Sequence, residues 1–181
     1  LARERDEPGI SQDLARHTRG LLGVRACAYY KIVDDVLLLK HLDGELSGSE
    51  LAPSIAVNQT SLGTVVGRGR PVVVPVAGKT EEHLFLKLSE PVASSSLLAV
   101  PVRYEDDTFG VLMCVAMGAY RFSDDDKHLV TALSSFGASS IQNARLYAKV
   151  FTVEEGLRRS ERLTALGLLS AEVAHEIRNP L

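Results

Sequence analysis

Leu97-Leu98-Ala99-Val100-Pro101-Val102-Arg103-Tyr104 and Phe109-Gly110-Val111-Leu112-Met113-Cys114-Val115-Ala116-Met117, joined by Glu105-Asp106-Asp107-Thr108, decide the fold. Two apolar runs of strand length around a short polar link read as a β-hairpin. Working outward, Ser123 is a helix N-cap, with Asp124, Asp125 and Asp126 in the first turn, where the helix dipole favours negative charge. The helix it opens meets no proline until Pro180, and Gly137, Gly156 and Gly167 are its only soft points. That is much longer than an ordinary globular helix, so its distal half is expected to leave the core and pair with something.

Upstream, the β-branched run Val72–Val76 follows Gly67, Gly69 and Pro71, which end a short helix over Thr60–Arg68. Ala26–Val33 and Val36–Leu42 read as a second hairpin around Asp34-Asp35. Ile10, Leu14, Leu21 and Leu22 fit an amphipathic helix closed near Gly20 or Gly23. Residues 1–9 read as a charged linker ending in Pro8-Gly9, and Leu42–Ser54 as a polar loop. Ala77–Pro91 carries two signals: Leu84, Leu86 and Leu88 alternate, whereas Glu81, Glu82 and Lys87 suit a helix, and a helix is expected. Helices, hairpins and a largely antiparallel sheet give an α+β class.

These segments resemble GAF domains. Leu62-Gly63-Thr64-Val65-Val66-Gly67-Arg68-Gly69-Arg70-Pro71-Val72-Val73-Val74 is similar to their helix–turn–strand signature. Leu97–Met117 followed by Arg121-Phe122-Ser123-Asp124-Asp125-Asp126 resembles their terminal hairpin and closing helix, and Ile141-Gln142-Asn143-Ala144-Arg145-Leu146-Tyr147 the end of that helix. The resemblance implies a sensor domain over 10–150 that takes a small-molecule ligand, or none. The Asn-Lys-Phe-Asp-Glu pattern of cyclic-nucleotide-binding members is missing, which argues against that ligand.

The last turns carry the chemistry. Leu163, Leu166, Ser170, Val173 and Ile177 recur at spacings of 3 and 4, a coiled-coil seam. At about 100° per residue, His175 falls on the side away from that seam, with Glu172 and Asn179 on its own face. Pro180 lacks an N–H and loosens the helix just past the histidine. An exposed imidazole beside the Glu176 carboxylate is a candidate nucleophile. His175-Glu176-Ile177-Arg178-Asn179-Pro180-Leu181 resembles the phosphoacceptor H-box of sensor histidine kinases, and Arg162-Leu163-Thr164-Ala165-Leu166-Gly167 its lead-in.

The resemblance implies that His175 accepts a phosphoryl group, that Glu176 orients it and assists proton transfer, and that Asn179 positions the water that dephosphorylates a response regulator. It also implies a homodimer through a parallel coiled coil and a further domain holding ATP and Mg²⁺. Residues 151–181 are then a signalling helix and the start of the phosphoacceptor helix, and both ends of the sequence read as cut. The fragment by itself is expected to hold no cofactor and to be inert towards ATP. An alternative reading makes the GAF domain a ligand-free, dimerising adaptor.

Composition fits this picture. At 181 residues, 45% hydrophobic and 24% charged, the chain has the make-up of a soluble globular protein with one sizeable core. A net charge of −3 and a pI near 6.0 offer no electrostatic case for nucleic acid. No apolar run approaches membrane-span length, and the charged N-terminus is unlike a signal peptide, so a cytoplasmic location without membrane contact is expected. Gly78-Lys79-Thr80 lacks the earlier glycine of a phosphate-binding loop, because Val73 stands there. His17, His41, His83 and His128 stand alone, and no histidine or cysteine pair has metal-ligand spacing. Cys27 and Cys114 sit in strand-like runs: either small core residues, or a redox pair if the first and last strands are neighbours.

Overall fold

The computed structural model describes residues 7–46, 49–59, 61–76, 86–88, 95–117 and 122–178. Two compact units divide the chain, Leu1–Gln142 and Asn143–Leu181. In the first, α1 (Glu7–Leu22) leads into the hairpin of β1 (Ala26–Val33) and β2 (Val36–Gly44). Short strands β3 (Ser49–Leu51) and β4 (Ser54–Ala56), a 3-10 turn at Val57–Gln59 and α2 (Leu62–Arg68) follow. Then come β5 (Val72–Val76), β6 (Leu86–Leu88), β7 (Ser95–Tyr104) and β8 (Asp107–Met117), and finally the long helix α3 (Asp124–Arg178).

Six strands form one antiparallel sheet in the order β4-β2-β1-β8-β7-β5, and β3 pairs with β6 in a small second sheet. The fold is α+β, as the hairpin signals imply. Both hairpins turn tightly. Asp34 and Asp35 each take a left-handed backbone, the conformation a two-residue hairpin turn requires and one that aspartate tolerates better than most residues. Glu105 is left-handed in the second turn, so β8 begins at Asp107 and the expected four-residue link shortens to Glu105-Asp106.

Three segments differ from the sequence expectation. Residues 7–9, assigned there to the linker, belong to α1; Pro8 sits in the first turn, where its missing N–H costs no hydrogen bond. The expected loop over 42–54 contains the end of β2 and the short strand β3. The expected helix over 77–91 is corrected at its described residues: Leu86–Leu88 is a strand, paired with Ser49–Leu51. There the two-residue alternation of the leucines outweighed the helix propensity of Glu81, Glu82 and Lys87. The rest of that segment lies outside the described residues.

Each face of the large sheet buries its own core. On one, Ala26, Ala28 and Tyr30 of β1 pack with Leu62 and Val65 of α2, Leu97 and Ala99 of β7, and Val111 and Met113 of β8. On the other, Cys27 and Tyr29 pack with Leu14 and Ala15 of α1, and with Val130, Ala138 and Ile141 of α3. The alternation along β1 creates both cores from one strand. α1 is fastened to its face near both ends by ion pairs, Glu7 to Lys31 (2.9 Å) and Arg19 to Asp43. Leu14 presses on Gly137, where an added Cβ would meet the Leu14 Cδ2 at 2.7 Å.

Candidate functional site

Three places can carry function: the apolar face around Tyr30, the cysteine pair on the opposite face, and the helix that leaves the domain. Tyr30 is fully buried among alanines and aliphatic side chains, and its hydroxyl donates to the Ala52 carbonyl at 2.8 Å. That bond satisfies the buried polar group, and burial pushes the Tyr30 hydroxyl pKa up, so the group stays neutral. Alternation along Ala26-Cys27-Ala28-Tyr29-Tyr30 already separates the two tyrosines onto opposite faces. The Ala52 partner has no sequence signal, because it comes from a connection 22 residues on. Most of the 75–96 segment, where a ligand-sized cavity would favour a sensor and a filled core an adaptor, lies outside the described residues.

On the other face Cys27 and Cys114 stand directly opposite in the β1–β8 register, with their sulfurs 3.6 Å apart. The sulfur–sulfur hydrogen bond, then burial, push the Cys27 thiol well above its usual range, and the Asp43 carboxylate adds to this. The first and last strands are therefore neighbours, as the redox alternative requires.

α3 begins with a reciprocal cap. The Asp126 N–H donates to Ser123 Oγ (3.1 Å) and the Ser123 N–H to Asp126 Oδ2 (2.8 Å). A hydrogen bond from the Lys127 ammonium, 2.8 Å away, lowers the pKa of Asp124. Within the first unit Val130, Ala138 and Ile141 face the sheet, while Phe136 is 76% exposed. Within the second, Tyr147, Val150, Phe151, Val153, Leu157, Leu163 and Leu166 are all exposed, which is a great deal of uncovered apolar surface for a helix. His175 and Glu176 occupy consecutive helical positions of α3; Asn179 lies outside the described residues.

The GAF domain family matches residues 6–141, about three quarters of the sequence. The chain belongs to the GAF domain family. Among solved structures, a GAF domain/HD domain protein from Geobacter sulfurreducens superposes with a TM-score of 0.66 at 19% identity, covering 79% of this chain and 96% of its own. The second GAF domain of DevS from Mycobacterium smegmatis gives 0.61 at 18% identity, covering 80% of this chain and 99% of its own. Free methionine-R-sulfoxide reductase from Neisseria meningitidis, in complex with its substrate, gives 0.64 at 20% identity, covering 81% and 84%. At such identities the likeness is one of fold. The GAF fold is a sensory one, common in signalling proteins. No helix among the described residues is long and apolar enough to cross a membrane, and no cluster of three metal-ligating side chains occurs among them.

Proposed function

We propose that this GAF domain is the cytoplasmic sensory part of a two-component histidine kinase and that α3 carries its signal to His175. The observation that supports this reading most is continuity. One helix starts on the GAF sheet at Asp124 and runs to Arg178, and its last four residues, His175 to Arg178, open the segment that resembles an H-box. An unbroken run of helical backbone between sensor and phosphoacceptor is a direct covalent route for a signal.

The chemistry follows from the side chains. A neutral imidazole nitrogen of His175 attacks the γ-phosphoryl of ATP nearly in line, and positioning supplies most of the catalysis. Glu176 holds the other ring N–H, which fixes the tautomer and supports the positive charge that develops. Asn179, four residues on in sequence, orients water during dephosphorylation of the response regulator. ATP and Mg²⁺ are held by a further domain of the kinase.

In a longer protein that includes such a domain, incubation with radiolabelled ATP should yield an acid-labile phosphate that maps to the peptide containing His175. No label, or label confined to serine or threonine, would refute the kinase reading. A second reading has one observation in its favour: around Tyr30 the described side chains close on one another, with the only hydroxyl of that tyrosine already satisfied by Ala52. A GAF domain of this kind serves as an adaptor without a ligand.

Both readings use the exposed stripe of α3 to form a parallel homodimer, the commonest oligomer symmetry. Leu157 and Leu163 are six residues apart, one short of a heptad, so the stripes on either side of Arg158-Arg159-Ser160 are offset. Val150→Asp combined with Leu163→Asp puts an unpaired charge into each stripe. Association measured by sedimentation should weaken by about a hundredfold or more. A parent chain that sediments as a monomer at tens of micromolar, an order-of-magnitude choice for a signalling interface, would remove the dimer from both readings.

A further inference from the structure

Cys27 and Cys114 are the only cysteines of the chain, 87 positions apart, and the fold places them side chain to side chain on the two central strands. Both are fully buried, and their sulfurs are 3.6 Å apart. The geometry points to an oxidation site: Cys27 and Cys114 close into a reversible intrachain disulfide when the protein meets a peroxide. The site rests on sheet geometry alone; only the relay of its effect along α3 rests on the sensory function proposed above.

Directly opposed residues of an antiparallel pair hold their Cβ atoms about 4.5–5.5 Å apart, slightly more than the about 3.5–4.5 Å of a disulfide. The sulfurs must close from 3.6 Å to about 2.05 Å, which draws β1 and β8 together. A bond that stresses its strands is readily reduced, the property of a regulatory link rather than a permanent staple. The same face carries Leu14 and Ala15 of α1 and Val130, Ala138 and Ile141 of α3, so the contraction bears directly on the surface beneath both helices.

The chemistry balances. One thiolate attacks a peroxide oxygen, the O–O bond breaks, and a sulfenic acid forms as hydroxide leaves and takes up a proton as water. The second sulfur attacks the sulfenic sulfur, its proton passes to the departing hydroxyl, and a second water leaves. Two thiols lose two electrons and two protons, and hydrogen peroxide becomes two waters.

The reaction has a brake. Burial and the raised Cys27 pKa keep the thiolate scarce, so peroxide must wait for α1 to lift. Arg19–Asp43 is one of the ion pairs that hold α1 down, and the same Asp43 carboxylate disfavours the Cys27 thiolate. Asp43→Asn should therefore speed oxidation several-fold.

The test treats the folded, reduced chain with hydrogen peroxide, then unfolds it in an alkylating reagent and measures intact mass. The expected product has lost two hydrogens and carries no alkyl group. Its peptide map links the Cys27 and Cys114 peptides, and dithiothreitol restores both thiols. A chain that still carries two alkyl groups, or whose cysteines end as sulfinic acids or as links between chains, overturns the proposal. Equal rates for Asp43→Asn and the parent would overturn the latch at α1. None of these readouts involves His175, so failure of the kinase reading leaves them intact.

Discussion

His175→Gln should abolish phosphoryl transfer into the long helix while the protein still folds and self-associates. Glutamine keeps a polar side chain of similar reach but has no nucleophilic ring nitrogen, and the position lies on the helix side away from Leu163, Val173 and Ile177. Glu176→Gln removes only the charge that supports an imidazolium-like transition state. Autophosphorylation of that variant should fall by roughly 10²–10⁴, the usual loss of one positioned acid–base group. Asn179→Ala should leave autophosphorylation largely intact and slow regulator dephosphorylation, because a water is positioned only in that direction. All three test the proposed function and need a longer protein that includes an ATP-binding domain. Retained labelling of His175→Gln would defeat the assignment of this segment, and equal loss of both activities in Asn179→Ala would mean that it acts on the helix end beside Pro180.

Gly44→Ala should be strongly destabilising. Gly44 ends β2 opposite Ala26 at φ +102°, a backbone essentially reserved for glycine. An added Cβ would also stand 2.3 Å from the Arg25 carbonyl oxygen and 2.9 Å from the Ala26 Cα, main-chain atoms that cannot rotate aside. Backbone strain and overlap each cost about 1–3 kcal/mol, so a loss of roughly 2–6 kcal/mol is expected. For a chain of this size that lowers the melting temperature by roughly 4–24 °C. Gly20→Ala is the matched control. It lies within α1, an added Cβ meets nothing within 4 Å, and it should stabilise by about 0.5–1 kcal/mol. Calorimetry of the two variants decides; a Gly44→Ala protein that melts with its parent would show that β2 ends differently.

The strongly patterned segments were readable from composition and spacing. Ala26–Val33 and Val72–Val76 have the bounds expected of them, because β-branched and aromatic runs bounded by turn residues leave few alternatives. α3 was readable from the missing prolines and the Ser123 cap. β3 and β4 were not, since three-residue strands are too short to show a period, and each exists only because a distant partner pairs with it. Leu86–Leu88 shows the same principle with the opposite local bias. In the candidate sites, the segment proposed as an H-box was visible as a motif and the cysteines as two isolated residues. Their juxtaposition needed the strand order, and the Tyr30–Ala52 bond needed the path of the β3–β4 connection, neither of which is local information.

The strand order also sets a schedule for synthesis. β1 and β2 leave the ribosome before the rest of the sheet and can pair at once through the Asp34-Asp35 turn, but the other edge of β1 belongs to β8, made some 80 residues later. Until then the nascent hairpin holds an open, apolar edge, the kind of surface that recruits a neighbouring chain on the same message. A nascent chain halted before Gly110 thus offers its β1 edge to aggregation or chaperones. Arrival of β8 seals that edge, and the first turns of α3, translated next, bring Val130, Ala138 and Ile141 to complete the core of the second face.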